Sequence, residues 1–207
     1  MGARFPSRQS IMDVNITSTI SREMQWQVAR LIHEAFDGKI DRLLLRTTDG
    51  ARAIRLIKIA TRFDQGYYAI DGSTVVGCMG YSKPRNQFLH FSWRALRREF
   101  GCFGAMGRLM SQYFSRDKFQ DDEMYITLIA VAEGYRSTGI GSRLIKILAN
   151  HGKRVCKKRL VLDVVDSNPR ARNLYERLGF TSIKQYNTSW FSKPAEFTTV
   201  VRMALPL

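Results

Sequence analysis

Acidic side chains are scarce in this chain: 18 Asp and Glu stand against 33 Lys and Arg in 207 residues, a formal net charge of +15. A field of that sign favours polyanionic partners such as nucleic acid, a ribosome or a phosphorylated cofactor, and a plain solvated basic surface accounts for it as well. Cysteine is sparse too. Cys78, Cys102 and Cys156 are odd in number, dispersed and outside any metal-ligand spacing, which argues against a disulfide framework and reads as reduced thiols of a cytoplasmic protein. No apolar run approaches the roughly 20 residues of a membrane span, and the stretch through Glu23 lacks a signal-peptide core. A cytoplasmic protein with no membrane segment is expected. His33, His90 and His151 have no companions in catalytic or metal spacing, so no metal site is expected.

What the chain does contain is concentrated between Met124 and Phe180. Tyr125 to Val131 is a run of β-forming residues, and a glycine-bearing turn follows from Gly134 to Ser142. Behind it Ile140, Leu144, Ile147, Leu148 and Val155 recur at helical spacing, with Arg143, Lys146 and Asn150 on the opposite face. The segment reads as strand, turn, helix. Glycines at the mouth of a helix let backbone approach a ligand closely, and the free N–H groups of the first turn together with the helix dipole favour a phosphate. Arg136, Ser137, Thr138 and Ser142 add one charge and three hydroxyls there. The Walker pattern is absent, because Gly141 is followed by Ser142-Arg143. The dinucleotide fingerprint also fails: Leu144 stands at its third glycine, and Lys157, Lys158 and Arg159 crowd the place of its acidic residue.

Arg136, Gly139 and Gly141 spell Arg-x-x-Gly-x-Gly after a strand. Leu160 to Val165 follows as a second strand, and Asn168, Ala171, Leu174, Tyr175, Gly179 and Phe180 fill Asn-x-x-Ala-x-x-Leu-Tyr-x-x-x-Gly-Phe. In these two ordered motifs the chain resembles the GNAT-type N-acetyltransferases. The resemblance implies an α+β fold, a three-layer arrangement with a mixed, mostly antiparallel central sheet and flanking helices. It further implies acetyl-CoA (coenzyme A) as co-substrate and direct acetyl transfer to a primary amine, on a small molecule or a peptide or protein N-terminus, in a ternary complex. The cofactor-binding residues it implies are Ile129, Ala130, Val131, Arg136, Ser137, Thr138, Gly139, Ile140, Gly141, Ser142, Asn168, Ala171, Asn173 and Tyr175. Tyr175 matches the family's tyrosine near the thioester sulfur, a general acid for the thiolate, and is otherwise a packed helix-face aromatic. Asn168 serves the cofactor arm, a helix cap, or both. Glu123, at the head of the cofactor strand, is the amine base by resemblance, with Asp121, Asp122 and Glu34 as competitors and a solvated acidic loop as the other reading. A catalytically idle acyl-CoA-binding module, attached to ribosome or nucleic acid through its charge, is the alternative function.

The rest of the chain suits one acyltransferase domain over residues 1–207. Residues 1–12 read as loose, Val14 to Ile20 as a first strand, and Glu23 to Phe36 as a helix stopped by Asp37-Gly38. A second helix from Asp49 or Ala51 to Phe63 turns Ile54, Ile57 and Ala60 inward. Tyr67 to Ile70 and Thr74 to Tyr81 flank Asp71-Gly72 as a hairpin. Residues 84–122 exceed the minimal family pattern and read as a two-helix insertion hinged near Gly101, Gly104 and Gly107. One face carries Leu89, Trp93, Leu96, Phe100 and Phe103, the other Met106, Leu109, Met110, Tyr113 and Phe114. Core packing, a lid over an acceptor pocket, a homodimer contact and a membrane-surface helix remain open for it. Thr181 to Tyr186 and Phe197 to Ala204 close the sheet around a loop from Asn187 to Ala195.

Overall fold

The computed structural model describes residues 13–36, 45–84, 86–114, 120–187 and 197–207. Its centre is a seven-stranded sheet in the order β1-β2-β3-β4-β5-β7-β6. The strands are β1 Asn15–Thr17, β2 Gly66–Asp71, β3 Thr74–Ser82, β4 Glu123–Val131, β5 Arg159–Val165, β6 Thr181–Asn187 and β7 Thr199–Pro206. Among the described residues five helices flank it: α1 Arg22–Ala35, α2 Gly50–Ala60, α3 Trp93–Phe114, α4 Ile140–Arg154 and α5 Pro169–Arg177. Adjacent strands are antiparallel except β4 and β5, which run parallel through the α4 crossover. This is the mixed, mostly antiparallel α+β sheet expected from the sequence. The helix stop at Asp37-Gly38, residues 1–12 and the closing loop after Asn187 lie outside the described residues.

Local chemistry sets the element ends. Ser21 Oγ accepts from Met24 N and Asp49 Oδ1 from Arg52 N, capping α1 and α2. Helix α2 stops at Ala60, short of the expected Phe63, because Phe63–Gln65 form a separate tight turn that delivers the chain to β2. Its buried face is Ala53, Leu56, Ile57 and Ala60, with Ile54 at the margin. Gly72, at φ 58, takes the left-handed place in the β2–β3 turn.

Two apolar layers sandwich the sheet. Helices α1 and α2 bury Val28, Ile32, Leu56 and Ile57 against Tyr68, Val75, Cys78, Leu128 and Ala130. On the other face α4 buries Ile140, Leu144, Ile145 and Leu148 against Ala69, Val76, Met79, Ile126 and Leu162. Ile147 falls outside the buried set of α4, and Val155 is turned out where it caps the helix end. Strand β4 contributes to both layers through a bulge. Gly80 pairs with Leu128 and Tyr81 with Ile126, so Thr127 is the extra residue. The bulge switches faces: Met124 and Ile126 join the α4 layer, whereas Leu128 and Ala130 join the α1 layer.

The insertion departs from its expected pattern. Leu89 is in extended chain bridged to Thr61, and α3 begins only at Trp93, with Ser92 Oγ accepting from Ala95 N. One break divides α3, at Gly101 with φ 70 and ψ −177, a backbone state open to glycine alone. The break rotates the second segment. Leu96 and Phe100 pack inward before it, Ala105 and Leu109 after it, and Phe103 is left 97% exposed although it falls in phase with Leu96. The packing of Met110, Tyr113 and Phe114 lies outside the described side chains.

Candidate functional site

Strands β4 and β5 are joined by only four registered pairs, from Glu123↔Arg159 to Ile126↔Leu162. Both strands continue, to Val131 and Val165, while β4 remains paired with β3 as far as Val131↔Gly77. A bulge increases local twist and bends its strand, and the bulged Thr127 is the residue at which pairing with β5 ends. The β5-facing edge of Ile129 to Val131 therefore presents backbone groups to a gap in the sheet.

The glycine turn sits at the mouth of this gap. After β4 the chain makes a tight turn over Glu133–Tyr135, then places Ser137 at φ 67 and Gly139 at φ 89, and α4 starts at Ile140. A Cβ on Gly139 would meet nothing within 4 Å, so the backbone angle, not space, demands glycine there. The first N–H groups of α4 have no intrahelical partner and point out of the helix start. Four side-chain bonds brace the turn. Tyr135 Oη donates to Asp71 Oδ2 at 2.5 Å, Thr138 Oγ1 to the Tyr135 carbonyl at 2.6 Å, Arg136 Nε to the Val131 carbonyl at 3.2 Å, and Arg170 Nη2 to Ser137 Oγ at 2.7 Å.

Turn, gap and α5 enclose a cleft of about 460 Å³. It gathers Ile129, Ala130 and Val131 from β4, Arg136, Ser137, Gly139, Ile140, Gly141 and Ser142 from the turn, and Asn168, Ala171 and Tyr175 from α5 and its cap. Thr138 and Asn173 do not line it: Thr138 spends its hydroxyl inside the turn, and Asn173 is exposed on α5. Asn168 caps α5 by accepting from Ala171 N at 3.1 Å while also lining the cleft. Tyr135, Arg170, Leu174, Arg177 and Ala35 line it as well. The helical spacing Arg170, Ala171, Leu174 and Tyr175 holds a signal for two of these; Ala35, at the end of α1, is brought in only by tertiary packing.

The Tyr175 ring leans on Phe180, with centroids 5.8 Å apart and planes at 54°. Burial pushes its phenol up to about 12, so the hydroxyl keeps its proton at neutral pH and can donate it. Glu123 lies elsewhere. It is 4% exposed, Oε1 accepts from Arg159 Nε at 2.6 Å, and Oε2 accepts from Gln120 N at 2.8 Å. Six residues of strand separate it from Ile129, roughly 20 Å. The structure does not bring it to the cleft, nor Asp121, Asp122 or Glu34. Asp122 pairs with Lys158 at 3.1 Å, and that hydrogen bond holds its carboxyl below the usual range. His151 bonds Tyr67 Oη through Nδ1 at 2.7 Å and packs edge-on against Tyr81, away from the cleft lining. Among the described residues no helix is long and apolar enough to cross a membrane, and no three His, Cys, Asp or Glu group as metal ligands.

A helix start with free N–H groups, opening onto a gap in a sheet and walled by a proton-bearing phenol, lies within an α+β domain. The chain belongs to the acetyltransferase (GNAT) family, whose model matches residues 56–180. It is 36% identical over 83 residues to an N-alpha-acetyltransferase 30 of Dictyostelium discoideum, covering 40% of this chain and 43% of that protein. It is 37% identical over 76 residues to a 5-NmdU N-acetyltransferase of Pseudomonas phage PaMx11, covering 36% and 51%. The match thus spans about half or less of these curated relatives. In fold it is similar to an N-acetyltransferase from Staphylococcus aureus Mu50, with TM-score 0.64, 19% identity and coverage of 92% of this chain and 100% of that one. A GCN5-related N-acetyltransferase from Kribbella flavida gives TM-score 0.62, 16% identity and coverage of 95% and 99%.

Proposed function

We propose that this protein transfers the acetyl group of acetyl-CoA to a primary amine by direct transfer in a ternary complex, as a single domain with residues 84–122 inserted in it. The observation that carries this reading is the convergence of the anion-binding turn, the open β4 edge and Tyr175 on one cleft. Acetyl-CoA supplies the acyl thioester. The turn from Arg136 to Ser142 holds its diphosphate, and the free edge of Ile129 to Val131 takes the amide-bearing arm and polarises the acyl carbonyl through a backbone N–H. Asn168 orients the arm from the opposite wall. Tyr175, protonated at neutral pH, gives its proton to the departing thiolate as the neutral amine nitrogen bonds the acyl carbon and the C–S bond breaks, and the proton the nitrogen then sheds returns to the Tyr175 phenolate through solvent. Glu123 is a structural ion-pair partner in this reading, not the amine base. The names of the relatives include amines of different kinds, an N-alpha and an N-epsilon acetyltransferase among them, which supports an amine acceptor without choosing one.

Calorimetric titration with acetyl-CoA, followed by thiol release across a panel of α-amines, lysine peptides and small amines, tests the proposal. Saturable binding and turnover with one acceptor class are expected; absence of saturable binding refutes the donor assignment. One observation favours a second reading, a non-catalytic acyl-CoA-binding module: among the described residues no carboxylate or imidazole lines the cleft. That reading predicts binding without thiol release from any amine, and phenotypes indifferent to Tyr175→Phe.

A further inference from the structure

The wall facing the phosphate-binding turn carries a cation that pairs with no carboxylate among the described residues. Arg170, in the first turn of α5, lines the cleft and places Nη2 on Ser137 Oγ at 2.7 Å, so the contact joins α5 to the turn across the cleft mouth. Its neighbour behaves differently: Arg172 is neutralised by Glu176, Nε to Oε1 2.9 Å, and does not line the cleft. Ser137 holds its end of the contact in the left-handed region at φ 67, which a residue with a Cβ enters against steric cost. Backbone strain at a cleft mouth, spent on aiming one hydroxyl at one guanidinium, points to a positioning role.

The geometry assigns Arg170 as a second arm of the diphosphate site, oriented by Ser137 and opposed to the α4 helix start. This rests on the donor proposed above. A guanidinium offers five donors in a rigid fork. With Nη2 on Ser137, its other nitrogens remain for a phosphate oxygen, and that bond is charge-assisted at both ends. Arg136 stands differently, its Nε turned back onto the Val131 carbonyl at the strand side. The diphosphate is thus held between backbone N–H groups on one wall and a cation oriented by Ser137 on the other. Selection of a diphosphate-bearing acyl carrier over a shorter thioester follows from that second wall.

The test is calorimetric titration of the full chain with acetyl-CoA and with dephospho-CoA, which keeps the diphosphate and lacks the 3′-phosphate. Arg170→Ala is expected to weaken both ligands about tenfold and by the same factor. Arg170→Lys should recover part of that loss. Ser137→Ala should cost about threefold alone and nothing further in the Arg170→Ala background, as expected of one residue acting through the other. The melting temperature of the ligand-free variants should stay that of the wild type. A loss confined to acetyl-CoA places Arg170 on the 3′-phosphate and overturns the assignment. So does unchanged affinity, or a loss accompanied by a lowered melting temperature. Wild-type protein that fails to bind acetyl-CoA overturns the donor reading itself, an outcome distinct from wild-type binding that Arg170→Ala leaves intact.

Discussion

At the scale of single residues, two assignments from the same strand-turn-helix segment part company. Tyr175 lines the cleft, and its raised phenol has a pH consequence. The folded phenol titrates near 12 and the unfolded one near 10. Neutral phenol is favoured by the fold, so its stabilisation is complete below pH 10 and is lost as pH rises from about 10 to 12, at about 1.4 kcal/mol per pH unit. Wild-type protein should therefore lose stability over that interval faster than Tyr175→Phe, as measured by denaturant midpoints. In the proposed reaction the same variant should lower kcat about a hundredfold with little change in KM for acetyl-CoA. Glu123 behaves oppositely. Glu123→Gln removes the partner of Arg159 at a buried cross-strand position and should cost roughly 2 kcal/mol of stability while kcat/KM stays within twofold. A bell-shaped rate profile that loses its acidic limb in Glu123→Gln would restore it as the base. Sequence alone could not separate these residues: an acid at the head of a strand looks the same whether it faces a cleft or a neighbouring arginine, and Arg159 is 36 positions away in the chain.

Among elements, most of the fold was legible because its signals are local. The Asp71-Gly72 turn and the apolar face of α4 through Ile140, Leu144 and Leu148 each state their own structure. The insertion was harder. A helical wheel through Leu96, Phe100 and Phe103 presumes unbroken winding, and Gly101 interrupts it with a backbone angle that no spacing rule reveals. Gly101→Ala should be destabilising by about 1–3 kcal/mol, since alanine cannot hold φ 70 with ψ −177 without strain. A thermal melt reads the loss. The bulge at Thr127 was equally silent in the sequence, yet it ends the β4–β5 pairing and so creates the cleft. Tyr135 makes a further element-level case. Its bond to Asp71 ties the glycine turn to the β2–β3 hairpin, 64 positions apart, and in the proposed reaction Tyr135→Phe should raise KM for acetyl-CoA severalfold with kcat nearly unchanged.

For the whole molecule the dominant quantity is charge. With a formal excess of +15, like charges repel across the surface and the compact state bears that cost. Raising sodium chloride from about 20 to 300 mM shortens the Debye length from roughly 20 to 6 Å, so the melting temperature should climb by a few degrees. The same salt should slow capture of an anionic acyl carrier, and stopped-flow association rates would show it.

The seam between β4 and β5 gives the molecule the mechanics of a clothes-peg. Its jaws part beyond Thr127, and its spring is the short stretch of rungs ending at Glu123 and Arg159. The ion pair at the closed end is the pin of that peg, holding the two strands in register away from the opening.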